Sequence, residues 1–185
     1  MSSRTTQTLQ LALVDWETHR EALRALREAV FIVEQGVPRD IEWDGQDEQA
    51  LHVLGTIDGL PVACGRLLPN GKIGRMAVLA DHRGHGHGAA VLDVLIGAAR
   101  ERGLDSVYLH AQQHAADFYA RAGFSPEGEP FEEAGIPHVA MRRDTGLGKV
   151  YANGITYPEP FARWAAALCQ NASREICILS HDLDH

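Results

Sequence analysis

This sequence predicts an α/β fold of the α+β kind. A mixed, mostly antiparallel central sheet is flanked by helices, with a helix–strand extension toward the C-terminus. Three observations carry the prediction. Asp58-Gly59 and Pro69-Asn70-Gly71 punctuate three apolar runs, which therefore fold back on one another as an antiparallel meander. Three alternate glycines, Gly84, Gly86 and Gly88, open an apolar-striped segment, Ala89 to Arg100, that reads as a helix. With 185 residues, 45% hydrophobic and 23% charged, the chain can bury one good core and carry an appendage.

Taken in order, Thr8 to Val14 is a first strand. Asp15 and Thr18 are helix-start residues, and Thr18 with Glu21 makes a capping-box pattern. The helix is expected to run to about Gln35, with Leu23, Leu26, Val30 and Phe31 on its apolar face and Gly36 closing it. Arg24, Arg27 and Glu28 are expected toward solvent. Val37 to Gln49 carries Asp40, Glu42, Asp44, Asp47 and Glu48, and on composition reads as a solvated acidic loop. Leu51 to Ile57, Pro61 to Leu68 and Ile73 to Leu79 form the meander. Ser106 to His110 is a short strand, Ala115 to Ala122 a helix stopped by Gly123, and Pro137 to Met141 a last strand. The expected order is β-α-β-β-β-α-β-α-β. Past Arg143 the pattern changes: Tyr151 to Tyr157 is loop-like, Phe161 to Ala172 a helix started by Pro158 and Pro160, and Ile176 to Leu179 a strand.

Asp and Glu (25) outnumber Lys and Arg (17), and a net charge of −8 argues against a nucleic-acid partner, which needs a basic face. Three scattered cysteines, Cys64, Cys169 and Cys177, suggest free thiols in a reducing compartment. With no signal-like or membrane-spanning run, a cytoplasmic location is expected.

The glycine loop admits three ligands. A helix start offers unpaired N–H groups and the positive end of the helix dipole, a natural phosphate site. Gly84-x-Gly86-x-x-Ala89 matches a dinucleotide fingerprint, but the strands before it form hairpins and Asp105 begins the next strand instead of ending it. No Gly-Lys-Ser/Thr follows, so a nucleoside-triphosphate loop fails. A coenzyme A pyrophosphate is the third.

That third reading rests on a resemblance. Arg83-x-x-Gly86-x-Gly88 matches the Arg/Gln-x-x-Gly-x-Gly/Ala motif of the GNAT-type N-acetyltransferases, and Met76-Ala77-Val78-Leu79 looks like the strand before it. Phe118-Tyr119-x-x-x-Gly123-Phe124 matches the family's later signature. The chain from about Leu9 to Arg143 resembles the family in element order. Val33-Glu34-Gln35, Asp44-Gly45-x-Asp47, Ala111-Gln112 and Gly135-Ile136-Pro137-His138 look like its bacterial ElaA-like branch. The resemblance implies a GNAT domain over 8–143 and an extension, 144–185, of unassigned role. That extension could dock on the domain, pair with a second copy as a homodimer, or begin a further domain.

The resemblance further implies acetyl-CoA as acyl donor and an amine, small-molecule or peptide, as acceptor. The backbone of Met76, Ala77 and Val78 would pair with the pantetheine arm and polarise the thioester. Gly84, Gly86 and Gly88 would take the pyrophosphate, with Arg83, His85 and His87 as further contacts. No metal is expected, despite the His-x-His spacing. Tyr119 would be the general acid that protonates the departing thiolate. The base is open among Glu34, Glu42, Asp44, His52 and His138, with His138 preferred and Glu34 a substrate contact. Net acidity and the acidic loop favour a cationic amine. Cys64, mid-strand between small residues, is expected to be buried, which makes direct transfer in a ternary complex the expected route. Two alternatives stand beside this. One is an acyl-homoserine-lactone synthase, whose Arg-Leu-Leu-Pro segment Arg66 to Pro69 resembles. The other is a non-catalytic acyl-CoA sensor.

Overall fold

The computed structural model describes residues 8–146, 150–152 and 155–157. The chain divides into two units, Met1–Thr145 and Gly146–His185. In the first, strand β1 (Gln10–Val14) leads into helix α1 (Trp16–Arg27), which continues as a π-helical stretch, Glu28–Glu34. Asp15 caps α1 by accepting the Thr18 N–H at 2.9 Å, so the helix begins before Thr18 and the Thr18–Glu21 pattern does not start it. A short helix, α2 (Arg39–Glu42), stands inside the segment expected to be all loop.

The meander follows: β2 (Leu51–Ile57), β3 (Leu60–Leu67) and β4 (Ile73–Val78), in the order β1-β2-β3-β4, all antiparallel. Asp58 and Gly59 both have positive φ, 51° and 78°, the turn that matches the twist of a tight hairpin. Helix α3 (His87–Glu101) leads to β5 (Ser106–Gln112), then α4 (Ala116–Arg121). Strands β6 (Ser125–Pro126), β7 (Phe131–Glu133) and β8 (Ile136–Asp144) complete a second sheet, in which β8 pairs with β5, β6 and β7. The short strands β6 and β7 escape sequence reading because Pro126, Gly128 and Pro130 break the pattern between them.

Helices α1 and α3 serve the two faces of the first sheet. Leu54, Cys64 and Ala77 lie in register across β2, β3 and β4 and pack with Leu23, Leu26 and Val30. Their neighbours Val53 and Ala63 pack with Val91, Leu92 and Leu95 of α3. Period-two alternation in the strands sorts the apolar side chains between these two layers.

The two sheets touch at one point. Lys72 bridges Tyr108 in parallel, and Tyr108 N–H donates to Gly71 O at 3.1 Å. A Cβ on Gly71 would stand 2.9 Å from Ser106 O, so only glycine allows this approach. Beyond the bridge no ladder pair joins β4 to β5 among the described residues, and the strands open as a wedge. On the other side of β4, Arg75 and Met76 oppose Gly65 as a bulge, and Arg75 takes φ 52°.

In the second unit, β9 (Val150–Ala152) and β10 (Ile155–Tyr157) pair antiparallel. This corrects the loop expected over Tyr151 to Tyr157: the Asn153-Gly154 pair sits between two short β-rich runs and is itself a hairpin signal. The helix over Phe161 to Ala172 and the strand over Ile176 to Leu179 lie outside the described residues. No helix among the described residues is long and apolar enough to cross a membrane.

Candidate active site

Two cavities open along the wedge. The larger, about 540 Å³, lies between β4, the glycine loop and α4, and is lined by Met76, Ala77, Val78, Gly84, Gly86 and Gly88 among others. Gly84 and Gly86 both have φ +79°, and nothing stands within 4 Å of where their side chains would be. Gly86 is the N-cap residue of α3, so the first N–H groups of that helix are left without intrahelical partners at the cavity wall. The donor set fits a phosphate group without needing a cation.

Arg83 and Glu34 both line this cavity and are bound to each other. The Arg83 guanidinium is bidentate to Glu34, both contacts 2.8 Å, and its Nε donates to Val78 O at 2.9 Å. It braces the end of β4 to the π-helical stretch. The hydrogen bond from Arg83 holds the Glu34 carboxyl below its ordinary value. Both Glu34 oxygens are thus committed at the wall of this larger cavity. His87 lines the same cavity while His85 does not, although the His85 and His87 rings stack at 5.8 Å. Desolvation, with the neighbouring His85 and His82, pushes the His87 imidazole down.

The second cavity, about 240 Å³, opens on the other side of the wedge. Tyr119, Met76, Gln35, His114 and Ala115 line both cavities. Tyr119 packs edge-on against Phe118 and Phe124, and its hydroxyl lies 3.9 Å from Met76 Sδ. Burial pushes the phenol up to about 12, so Tyr119 keeps its proton at neutral pH.

The acidic loop is solvated only in part: Asp40 and Glu48 are exposed, but the other three acids turn inward. Glu42 and Asp47 are buried and Asp44 is half-buried, all three against arginines. Arg27, expected toward solvent, is 1% exposed: its Nε meets Glu42 Oε1 at 2.5 Å and its Nη1 meets Asp47 Oδ1 at 2.7 Å. Arg66 forks onto Asp44 at 2.8 and 2.6 Å and reaches Asp47 at 2.8 Å. Arg75 pairs with Glu42 Oε2 at 2.9 Å and donates to Asp44 at 3.0 Å and to the Ile41 and Glu42 carbonyls. This grip offsets the cost of the positive φ at Arg75, about 1–3 kcal/mol for such a residue. Burial alone would raise the Asp44 carboxyl, but Arg66 and Arg75 hold it well below the usual range. Burial likewise works against ionisation of Asp47, and Arg27 outweighs it. At Glu42 burial prevails over the two guanidiniums and pushes the carboxyl up. The three carboxylates thus face three arginines, Arg27 and Arg66 buried and Arg75 half-buried, and their charges are compensated within the cluster.

The base candidates are similarly occupied. His52 is buried with Nε2 2.9 Å from Asp47 O, and burial lowers its pKa. His138 lines the second cavity, but its Nδ1 is 2.7 Å from Ile136 O and its ring stacks on Phe131. Sequence reading missed Arg27, Arg66 and Arg75, and also Lys72, His110 and Glu133, which line the same cavity. The available signal was an arginine on the apolar face of α1 and another in an apolar strand, opposite spaced acids. Cys64, fully buried, has its thiol pushed up to about 12.

Comparison with known proteins fits this geometry. The acetyltransferase (GNAT) domain model matches residues 17–145. The uncharacterized N-acetyltransferase YjcF of Bacillus subtilis is 36% identical over 123 residues, 64% of this chain and 88% of YjcF. Escherichia coli ElaA is 37% identical over 131 residues, 66% of this chain and 86% of ElaA. Its crystal structure superposes with TM-score 0.68 at 32% identity, over 74% of this chain and 99% of that one. An acyl-CoA N-acyltransferase from Pseudomonas aeruginosa superposes with TM-score 0.67 at 34% identity, over 74% and 99%. The wedge between β4 and β5, the glycine loop at α3 and the matched span together identify the chain as a member of the GNAT acetyltransferase family, in its ElaA-like branch.

Proposed function

We propose that this chain transfers an acetyl group from acetyl-CoA to a primary amine, by direct transfer in a ternary complex. The observation that supports it most is that Tyr119 and Met76 stand in the wall shared by two cavities, one beside the glycine loop and one beyond it. Donor and acceptor would enter from opposite sides and meet there. In this reading the backbone N–H groups around Gly84 to Gly88 hold the pyrophosphate and the free edge of β4 at Met76–Val78 takes the pantetheine arm. Tyr119 gives its hydroxyl proton to the departing thiolate. The burial of Cys64, with its raised pKa, supports direct transfer over a cysteine-bound acetyl intermediate. The chemistry is assigned to residues 8–143, with 144–185 as an extension, and a cytoplasmic location belongs to the same reading.

Release of free thiol from acetyl-CoA, measured against a panel of amines, tests this. Tyr119→Phe should lower kcat by about 100-fold while acetyl-CoA still binds. Unchanged turnover in that variant would remove Tyr119 from the role of acid. Binding of acetyl-CoA with no thiol release for any amine would make the protein a sensor instead of an enzyme.

A further inference from the structure

We propose that His110 is the general base that deprotonates the acceptor amine, with Glu133 as the residue that positions it. This rests on the acetyltransferase reading above and adds to it the group that reading lacks. An amine is an ammonium ion at neutral pH, and its nitrogen has no lone pair to attack with until one proton leaves.

The acceptor-side cavity places a matched pair at its wall. His110 comes from β5 and Glu133 from β7, and His110 Nδ1 stands 2.8 Å from Glu133 Oε2. On β5, Tyr108, His110 and Gln112 alternate with the buried Val107, Leu109 and Ala111, so His110 is directed away from the core. Phe131 packs edge-on against the His110 ring at 4.9 Å and is itself backed by His138 at 6.0 Å. The imidazole is thus fixed on two sides, by a carboxylate and by an aromatic ring.

The hydrogen bond sets the tautomer. Burial is the largest single influence on Glu133 and opposes its ionisation, but the bond from His110 together with the nearby Lys72 and His138 brings the carboxyl below its ordinary value. An ionised carboxylate only accepts, and its 2.8 Å contact with Nδ1 is shorter than the 3.4 Å one from the Lys72 ammonium, so the geometry favours the hydrogen on Nδ1 and the lone pair of the neutral ring on Nε2. Lys72, with Nζ 3.4 Å from Nδ1, adds a cation on one side, while Glu133 supplies the opposing charge.

Other titratable groups at this cavity are less fit for the task. Both Glu42 oxygens are held by Arg27 and Arg75. His138 spends Nδ1 on a backbone carbonyl, with no carboxylate to stabilise its charged form through that atom. His114 is exposed on the turn before α4 and has no orienting partner among the described residues.

The proton balance closes. Nε2 of His110 takes one proton from the ammonium and passes it to solvent. The neutral amine attacks the thioester carbon, the C–S bond breaks, and the thiolate takes the Tyr119 proton. The nitrogen's second departing proton restores the Tyr119 hydroxyl. Amide, free thiol and one released proton are the products.

The test uses the full chain, acetyl-CoA and a panel of primary alkylamines, diamines and amino acids, with hydroxylamine as an acceptor that is already neutral near pH 7. His110→Gln should lower kcat/KM for the best alkylamine by about 100-fold near pH 7, with acetyl-CoA affinity within about twofold. The deficit should shrink by about tenfold per pH unit as pH rises and solution supplies the free amine. Hydroxylamine turnover should fall by less than about threefold. Nitrogen NMR of the wild type should show His110 with its hydrogen on Nδ1, and Glu133→Ala should lose that preference and part of the rate. Equal loss for alkylamine and hydroxylamine, a pH-independent deficit, or a wild-type hydrogen on Nε2 would overturn the proposal while leaving the acetyltransferase reading intact. No amine-dependent thiol release by the wild type would overturn both.

Discussion

Replacing Arg27 by Met should cost about 3–5 kcal/mol of folding stability, the range for removing one partner from a buried ion pair. Three contacts go: Arg27 to Glu42 Oε1 at 2.5 Å, to the Glu42 carbonyl at 3.1 Å and to Asp47 at 2.7 Å. Glu42 keeps Arg75 and Asp47 keeps Arg66, so neither acid is wholly stripped. What changes is the balance: Arg27, Arg66 and Arg75 face Glu42, Asp44 and Asp47, and without Arg27 one negative charge is left over in a buried site. Methionine fills much of the vacated volume, so the loss is electrostatic more than steric. Urea unfolding should register it as a lower midpoint at unchanged slope. At about 2–4 °C per kcal/mol for a chain of this size, the melting temperature should drop by roughly 6–20 °C. Adding Glu42→Gln should recover a substantial part, because the pair of changes restores neutrality. The single variant's penalty should also shrink on acidification, since a proton on Glu42 cancels the surplus charge. A loss under about 1 kcal/mol, or a double variant less stable than the single, would refute the argument.

Acid should weaken the wild type through Asp44 and Asp47. Both carboxyls are held below their unfolded value, so their contribution is present above that value and is lost as pH falls through the folded one. The urea midpoint measured from about pH 6 downward should therefore fall most steeply below about pH 4. Cys64 should resist alkylation in the native protein near neutral pH and react only on unfolding, as peptide mapping after iodoacetamide would read; native labelling would contradict its burial. Gly65→Ala should destabilise by about 1–3 kcal/mol, because a Cβ there would stand 2.8 Å from Leu95 and from Val91 of α3; a neutral melt would show that α3 can shift.

Local features of this protein were legible in its sequence. The Asp58-Gly59 hairpin, the glycine loop opening α3 and the Phe118-Tyr119 helix depend on backbone preference and on residues within a few positions of one another. The last two of those elements wall the larger cavity. Contacts between distant segments were not legible. Arg83 binds Glu34 across 49 positions, His110 meets Glu133 across 23, and Arg66 meets Asp44 across 22. A charged side chain is read from sequence as solvated because burial costs several kcal/mol unless a partner arrives from elsewhere. Composition therefore puts Arg27 and the acidic loop at the surface, while the tertiary fold folds them inward as one neutral cluster that anchors the β4 bulge. The same reason separates the two sides of the site. The glycine loop and the start of α3 depend on one short stretch, and sequence alone determined them. The second cavity is assembled where the turn before β4, β5, β7 and β8 converge, and only the packing of those elements decided which histidine faces a carboxylate.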